Sequence, residues 1–430
     1  MSRRAAATVL AALGAATLAG GAPGCGDDLE GEAPPLAPAD HLVIVAHLDD
    51  DLIFMQPEIH DAVASGSVTT VYVSSGDPVK GDGAAAHTFL AAMMAYTSAA
   101  GAHDWECGYG MVAGSPIHHC RLRDRQVSMI GLDTADGGPD GQFRESPLHL
   151  VEGMVPSIAI LGRIRGRATV DSITAELAEI IEMTAPSQID TLDLAATHGS
   201  DHSGHMFAAA FALWGAARAH YDGPIRWHRG YNVDNNPITL ATADYTRVKP
   251  MLGYFEACYF GCGPCGTPCA TLTQGHNDDL QRQYWTSRDP VAAAGALALA
   301  LEDGAGCVAV TAAGLALADC AGAAALRLDP DGHLVVDTGA PPPHAAQCLA
   351  SPAGNDDPVV LAPCEDTPGQ YWVVDGDGLV WNGLPPQPIA DMAHNHVRCL
   401  STAGGAGAAA PAAITAPVCG DRLHPHWRFK

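Results

Sequence analysis

The stretch that decides the fold is His41-Leu42-Val43-Ile44-Val45-Ala46-His47-Leu48-Asp49-Asp50-Asp51. Its apolar first half, His41 to Val45, reads as a short buried strand. A histidine and three carboxylates follow at once, so they sit at the carboxyl end of that strand. In open α/β sheets this is where ligands bind. His47 and Asp50 offer one nitrogen and one oxygen of the kind zinc takes, and Asp49 is left free to move a proton. Alone, the segment also reads as an Asp-rich surface turn.

Around this stretch the chain alternates short apolar runs with amphipathic ones. Val68 to Ser74 reads as a second strand and Thr191 to Leu194 as a later one. Asp171 to Met183 carries Ile173, Leu177, Ile180 and Ile181 at helical spacing, with Asp171 or Ser172 as its cap. Met206 to Ala219 reads as a buried Ala-rich helix. The alternation predicts an α/β domain over residues 39–288, a Rossmann-like, mostly parallel sheet with helices on both faces.

A second cluster precedes that last helix: Thr197-His198-Gly199-Ser200-Asp201-His202-Ser203-Gly204-His205. Asp201 or Ser200 reads as the helix cap, and His202 and His205, three apart, share a helix face. One or two of these histidines can reach a metal held by His47 and Asp50. Alone, the cluster also reads as a capped helix start with solvated histidines. Two His/Asp clusters at strand ends in one domain make the joint reading the informative one.

The chain has 430 residues, 47% of them hydrophobic, a globular composition long enough for two or three domains. With 48 acidic against 22 basic residues the net charge is −26. Such a surface repels phosphate backbones and anionic bilayers, so no nucleic-acid partner is expected.

Residues 1–25 read as a signal sequence: Arg3-Arg4, a small-residue apolar run from Ala5 to Ala19, then Gly21-Ala22-Pro23-Gly24-Cys25. Cys25 after small residues resembles a bacterial lipoprotein cleavage site, although Pro23 and the lack of a Leu three residues earlier depart from it. Ordinary cleavage near Ala22 is the other reading. Both send the protein out of the cytoplasm: to the cell envelope if a lipid on Cys25 is its membrane contact, otherwise to secretion. Residues 26–38, acidic and rich in Pro and Ala, read as a flexible tether.

Cysteine usage agrees with export. Setting Cys25 aside leaves 12 of 13, an even number. They group locally as Cys107 with Cys120, Cys307 with Cys320, Cys348 with Cys364, and Cys399 with Cys419. Loops this short contribute about 3 kcal/mol each in the chain-entropy picture. Cys258, Cys262, Cys265 and Cys269 form a further group, read as disulfides or as a structural zinc site.

From about residue 290 helical periodicity ends and a three-fold pattern begins. Its units run through Cys307, Cys320 and Asp331-Gly332-His333-Leu334; through Cys348-Leu349, Cys364 and Gln370-Tyr371-Trp372; and through Cys399-Leu400, Cys419 and Trp427. Paired cysteines with Gln-x-Trp resemble the ricin-B-type β-trefoil lectins, which implies an all-β trefoil domain over 290–430. Only one Gln-x-Trp is intact. The Trp is mainly a core residue in such folds, so a spacer role stands beside sugar binding.

The two His/Asp clusters together resemble the PIG-L (LmbE-like) zinc-dependent N-deacetylases. The family's first motif is Ala-His-Pro-Asp-Asp-Glu after strand one; here Leu48 replaces Pro and Asp51 replaces Glu. The likeness continues through Val71 to Asp77, Trp227 to Asn232 and the Cys258 region. On the helix after strand two, relatives often carry Arg and Glu where this chain reads Thr88 to Met93.

The resemblance implies Zn2+ held by His47, Asp50 and His202, the last matching the family's Asp-His pair, with a fourth position for water. It makes Asp49 the general base, which later protonates the leaving amine, and Asp201 a partner orienting a histidine. His198 or His205 is the donor to the tetrahedral oxyanion. Relatives place that histidine three residues before the ligand, whereas His198 is four before His202 and Gly199 fills the matching slot. The implied activity is removal of acetate from N-acetylglucosamine-type sugars in a glycan or glycoconjugate, with the trefoil raising local substrate concentration. The competing readings are a carbohydrate-binding surface protein with an inactive metal domain, and a zinc hydrolase of a non-sugar amide.

Overall fold

The computed structural model describes residues 31–75, 82–151, 154–193, 201–233, 236–288, 298–301, 306–312, 314–329, 333–337, 347–351, 357–365, 367–374, 380–382, 398–403, 412–417 and 425–429. The signal sequence with Cys25, the start of the tether, the Gly76-Asp77 turn, His198 to Ser200 and Cys419 lie outside them.

Residues 41–288 build one mixed sheet. Its strands are β1 (His41–Val45), β2 (Ser67–Ser74), β3 (Trp105–Val112), β4 (Ser115–Leu122), β5 (Gln126–Thr134), β6 (Ile158–Ile160), β7 (Gly166–Ala168), β8 (Gln188–Leu192), β9 (Ile225–His228) and β10 (Trp285–Arg288). The order across the sheet is β10-β9-β8-β1-β2-β5-β4-β3, with β6 and β7 continuing from the end of β5. The strands β9, β8, β1, β2 and β5 run parallel, and the edges are antiparallel. The β1 run Leu42 to Val45 is wholly buried, as a central parallel strand covered on both faces must be.

The helices are α1 (Asp50–Phe54), α2 (Glu58–Ser65), α3 (Asp82–Ala100), α4 (Pro147–Val151), α5 (Val170–Thr184), α6 (Ser203–Arg218), α7 (Thr242–Tyr259) and α8 (Gln274–Leu280). From β1 the chain passes to β2 on one side, and β8 later pairs on the other. A crevice therefore opens where β1 and β8 end, at the switch point of the sheet. Helix α6 is buried nearly throughout. It packs on α5 at Gly215, where a Cβ would stand 2.7 Å from Leu177 Cβ, too close to be accommodated unmoved.

Two caps differ from the sequence expectation. Helix α5 is capped by Thr169 and not by Asp171 or Ser172, its side chain accepting from the Ser172 N–H while Ser172 Oγ accepts from the Thr169 N–H. This reciprocal pair satisfies two end donors at once. Helix α6 is capped by His202, whose Nδ1 accepts the Gly204 N–H at 3.0 Å, because Asp201 is engaged elsewhere.

The tether expected over 26–38 is docked where it is described. Glu32 bridges Tyr109 on β3, the Ala33 N–H donates to Tyr109 O, and the Pro34 carbonyl accepts from His119. Gly108 makes this approach possible, since a Cβ there would overlap the Gly31 and Glu32 carbonyls.

Beyond residue 298 the described residues are mostly strands, with a second apolar core around Leu299, Leu326, Leu349, Trp372, Leu400 and Trp427. The Trp372 indole N–H donates to Leu349 O at 2.8 Å, and that of Trp427 to Leu400 O at 3.0 Å. Gln370 is buried, donating to Pro363 O and accepting the Glu365 N–H. The two parts meet at Trp227 of β9 and Trp381, whose rings cross edge-to-face with centroids 5.4 Å apart.

Among the described residues five disulfides form: Cys107–Cys120, Cys258–Cys265, Cys262–Cys269, Cys307–Cys320 and Cys348–Cys364. The Cys258 group therefore pairs with itself and presents no thiolate ligand set. Cys399 is disulfide-bonded too. No described helix is long and apolar enough to cross a membrane.

Candidate active site

The crevice at the ends of β1 and β8 gathers the two histidine clusters. His47 leaves β1, and Asp50 opens α1 three residues later, buried completely. Asp50 Oδ2 accepts the His47 backbone N–H at 2.7 Å, folding the turn so that both side chains face the crevice. His202 and His205 arrive on the first turn of α6. The ring centroids of His47 and His202 lie 4.4 Å apart, those of His47 and His205 5.4 Å. One nitrogen from each of the three imidazoles falls within 4.8 Å of the others.

The two helix histidines differ in their bonding. His205 is fully buried, and its Nδ1–H donates to Asp201 Oδ1 at 3.0 Å. Asp201 Oδ1 also accepts the His202 and Tyr231 backbone N–H groups, which explains why it is not the helix cap. Gly230 leaves room for this carboxylate; a Cβ there would overlap both its oxygens. His205 Nε2 then lies 3.0 Å from Asp50 Oδ1, an ion pair without hydrogen-bond geometry, and offers a lone pair once an ion displaces its proton. His202 has the opposite arrangement, its Nδ1 accepting from Gly204 and its Nε2 carrying the proton.

These residues fit a metal ion. His47 Nε2 and His205 Nε2 are buried without hydrogen-bond partners, as ligand atoms are when an ion is the missing partner. Bonds of about 2.0–2.1 Å in a tetrahedral zinc site separate neighbouring ligands by about 3.3 Å, close to the Asp50 and His205 spacing. A histidine donating Nδ1–H to a carboxylate and presenting Nε2 is the usual support for a metal-ligating imidazole. In the ion-free protein the charges of Asp50 and Asp201 overcome burial and lift His205 to about 10, whereas burial, with the positive charges of His47 and His205, pushes His202 down to about 3.

Around this centre stand groups that sequence reasoning passed over. Asp136 Oδ1 lies 3.6 Å from His47 Nε2. Its loop follows β5 and is tied to α6 by Ser203, whose N–H donates to Pro139 O and whose hydroxyl donates to Gly138 O. The signal was available: Asp136 closely follows an apolar run, Met129 to Leu132, much as His47 follows β1. Tyr231 stacks on His205 with centroids 5.2 Å apart. The charge of His276, on α8, which packs against α1, acts on the Asp49 carboxylate.

Asp49, next to α1, makes no side-chain cap. Burial and the Asp50 charge raise its pKa against the positive charges of His47, His276 and His205. Asp51 turns away into the core, where the Tyr96 hydroxyl donates to it at 2.7 Å and that of Tyr72 at 3.4 Å. Phe89, on the helix where relatives carry charged residues, packs on Tyr72 and His118.

No curated protein matches the chain. A family match spans residues 42–214, from β1 through α6, to PIG-L: GlcNAc-PI de-N-acetylase. That span contains both histidine clusters and Asp136, and it ends before Tyr231 and His276. The match points to a hydrolase with a GlcNAc deacetylase-like function, of a kind that usually depends on a metal. Residues 42–214 of this chain are therefore a PIG-L family domain.

Proposed function

We propose that this protein is an exported, zinc-dependent N-deacetylase that hydrolyses the acetamide of N-acetylglucosamine-type sugars in a glycan or glycoconjugate. The observation that carries this reading is the convergence of one nitrogen each from His47, His202 and His205, with Asp50 Oδ1 3.0 Å from His205 Nε2, beside a carboxylate, Asp49, that is not spent on a helix cap.

We assign His47, Asp50 and His205 as the zinc ligands, which moves the third ligand from His202 to His205. The lone pair at His205 Nε2 and the proton at His202 Nε2 support the change. So does spacing, because a histidine then stands three residues before the ligand, as in relatives, and that histidine is His202. When bound, zinc supplies a Lewis acid and a water of lowered pKa.

The residues of the chain do the rest. Asp49 accepts the proton of the attacking water. His202, neutral and with its Nε2–H fixed by the Gly204 bond, donates to the oxygen of the tetrahedral intermediate. Asp201 holds the His205 ring. His205 is too deeply enclosed to touch substrate, and His198 lies outside the described residues.

Export to the cell envelope, with a lipid on Cys25, is supported by the N-terminal sequence and by disulfides across both halves of the chain. The β-rich part is proposed as a ricin-B-like trefoil. The repeated bond from Trp372 to Leu349 and from Trp427 to Leu400 supports that reading. Zinc stoichiometry together with acetate release from N-acetylglucosamine oligomers tests the whole. A purified, zinc-loaded protein that releases no acetate from any N-acetylated sugar overturns it.

A further inference from the structure

Outside the family match, α7 and α8 carry a buried pair that the reading above leaves unused. Glu256 of α7 is 2% exposed, and its carboxylate accepts the Thr273 N–H at 3.1 and 3.0 Å through its two oxygens. His276 Nδ1 lies 2.9 Å from Glu256 Oε1. An ionised carboxylate held this way fixes the imidazole orientation and favours its protonated form. Burial opposes that charge, while Glu256, Asp49 and Asp279 together raise the pKa of His276 above the ordinary histidine value.

The pair lies on the helices next to the site. Helix α8 packs on α1, and Asp49 lies at the start of α1. After burial and the hydrogen bond to Glu256, the Asp49 charge is the next influence on His276. The Nδ1 edge of the ring is taken, and no described residue hydrogen-bonds to Nε2. An imidazole held by Glu256 thus stands on the helix packed against the one that Asp49 precedes, and the charges of His276 and Asp49 act on each other.

We propose that His276, held by Glu256, is the general acid that protonates the leaving amine. The proposal rests on the deacetylase reading. In the addition step the water oxygen bonds to the acetamide carbon and its proton passes to Asp49. In the second step the C–N bond breaks, its electron pair goes to nitrogen, and nitrogen takes the proton from His276 Nε2. Asp49 then returns its proton to the neutral imidazole, so both groups are restored and the products are the amine and acetic acid. Separating the roles relieves Asp49 of acting as acid and base in turn. An amine leaves from a tetrahedral intermediate only when protonated, so a placed acid is worth about 10²–10⁴ in rate.

The experiment compares zinc-loaded wild type, His276→Gln and Glu256→Gln on two probes, N-acetylglucosamine oligomers and 4-nitrophenyl acetate. The phenolate of the second probe departs without a proton. His276→Gln is expected to lower kcat on the amide about 100-fold or more while changing ester hydrolysis less than about 3-fold. Glu256→Gln is expected to change the amide in the same direction by a smaller factor. Zinc content and Tm of each variant separate chemistry from unfolding. A folded, zinc-loaded His276→Gln that keeps wild-type amide turnover overturns the proposal, as does equal loss on both probes. Wild-type protein inactive on the amide overturns the deacetylase reading and this proposal with it.

Discussion

His205 Nε2 and Asp50 Oδ1 approach to 3.0 Å in the floor of the crevice, fully enclosed, without a hydrogen bond joining them. Atoms so close need a cation between them, a proton on Nε2 in the ion-free protein or a metal ion in its place. This pair supports the proposed third ligand, the second histidine of the His202-Ser203-Gly204-His205 turn. His205→Gln is expected to lower zinc affinity more than 100-fold. His202→Gln is expected to keep one zinc per chain and to lose about 10²- to 10³-fold in kcat, the usual effect of removing an oxyanion donor. Metal analysis of the two purified variants decides, and zinc loss in His202→Gln alone would reverse the assignment.

Asp49→Asn keeps the shape of the side chain and removes its basicity. Zinc content is expected to stay at the wild-type level, and acetate release to fall about 10²- to 10⁴-fold. Unchanged turnover would remove Asp49 from its role.

In the proposed site Asp201 would act on the metal only through His205. Asp201→Asn is expected to weaken zinc binding about 10- to 100-fold, the usual loss when the carboxylate behind a ligating histidine is removed. Gly230→Ala crowds the same carboxylate and is expected to act in the same direction. Competition with a chelator measures both.

Glu176 of α5 is buried, and one of its oxygens has no hydrogen-bond partner. Burial pushes its pKa to about 7, opposed by the Ser115 hydroxyl. The folded state therefore binds a proton that the unfolded chain releases near pH 4.5. This group destabilises the fold increasingly as pH rises from about 4.5 to 7, and by a constant amount above that. Glu176→Gln is expected to raise stability at pH 8 by at most about 3 kcal/mol and to change it little at pH 4. Denaturant titrations at the two pH values check the sign.

How much of this was readable in the sequence depended on where each residue lies along the chain. Strand β1 and its trailing His47 to Asp50 were legible because a buried parallel strand is an uninterrupted apolar run. Asp201, His202 and His205 were legible as residues; the hydrogen bonds that distinguish the two imidazoles were not. Which imidazole turns its lone pair inward depends on the Tyr231 and Gly204 amides, and no spacing rule reports that. Asp136 was hidden in Asp-Gly-Gly-Pro-Asp-Gly, which reads as turn chemistry. Glu256 and His276 stand twenty residues apart on two helices, joined only by folding. In the β-rich part, Gln370 of Gln-x-Trp was visible, but its internal bonds to Pro363 and Glu365 were not.

Trp381 brings the β-rich part onto β9 by its contact with Trp227. Trp381→Ala is expected to cost about 3–5 kcal/mol, the usual range for a buried aromatic cut to a methyl. Calorimetry should show a lowered and broadened transition. An unchanged melting profile would mean that the two parts unfold independently.

The docking of Glu32 and Ala33 on Tyr109 shortens the leash. If Cys25 carries a lipid, the six residues from there to Gly31 span about 20 Å at full stretch. The catalytic crevice would then be confined to a thin shell above its own bilayer. Its substrates would be the sugars that grow or hang there, and polymer lying farther out would have to come to it.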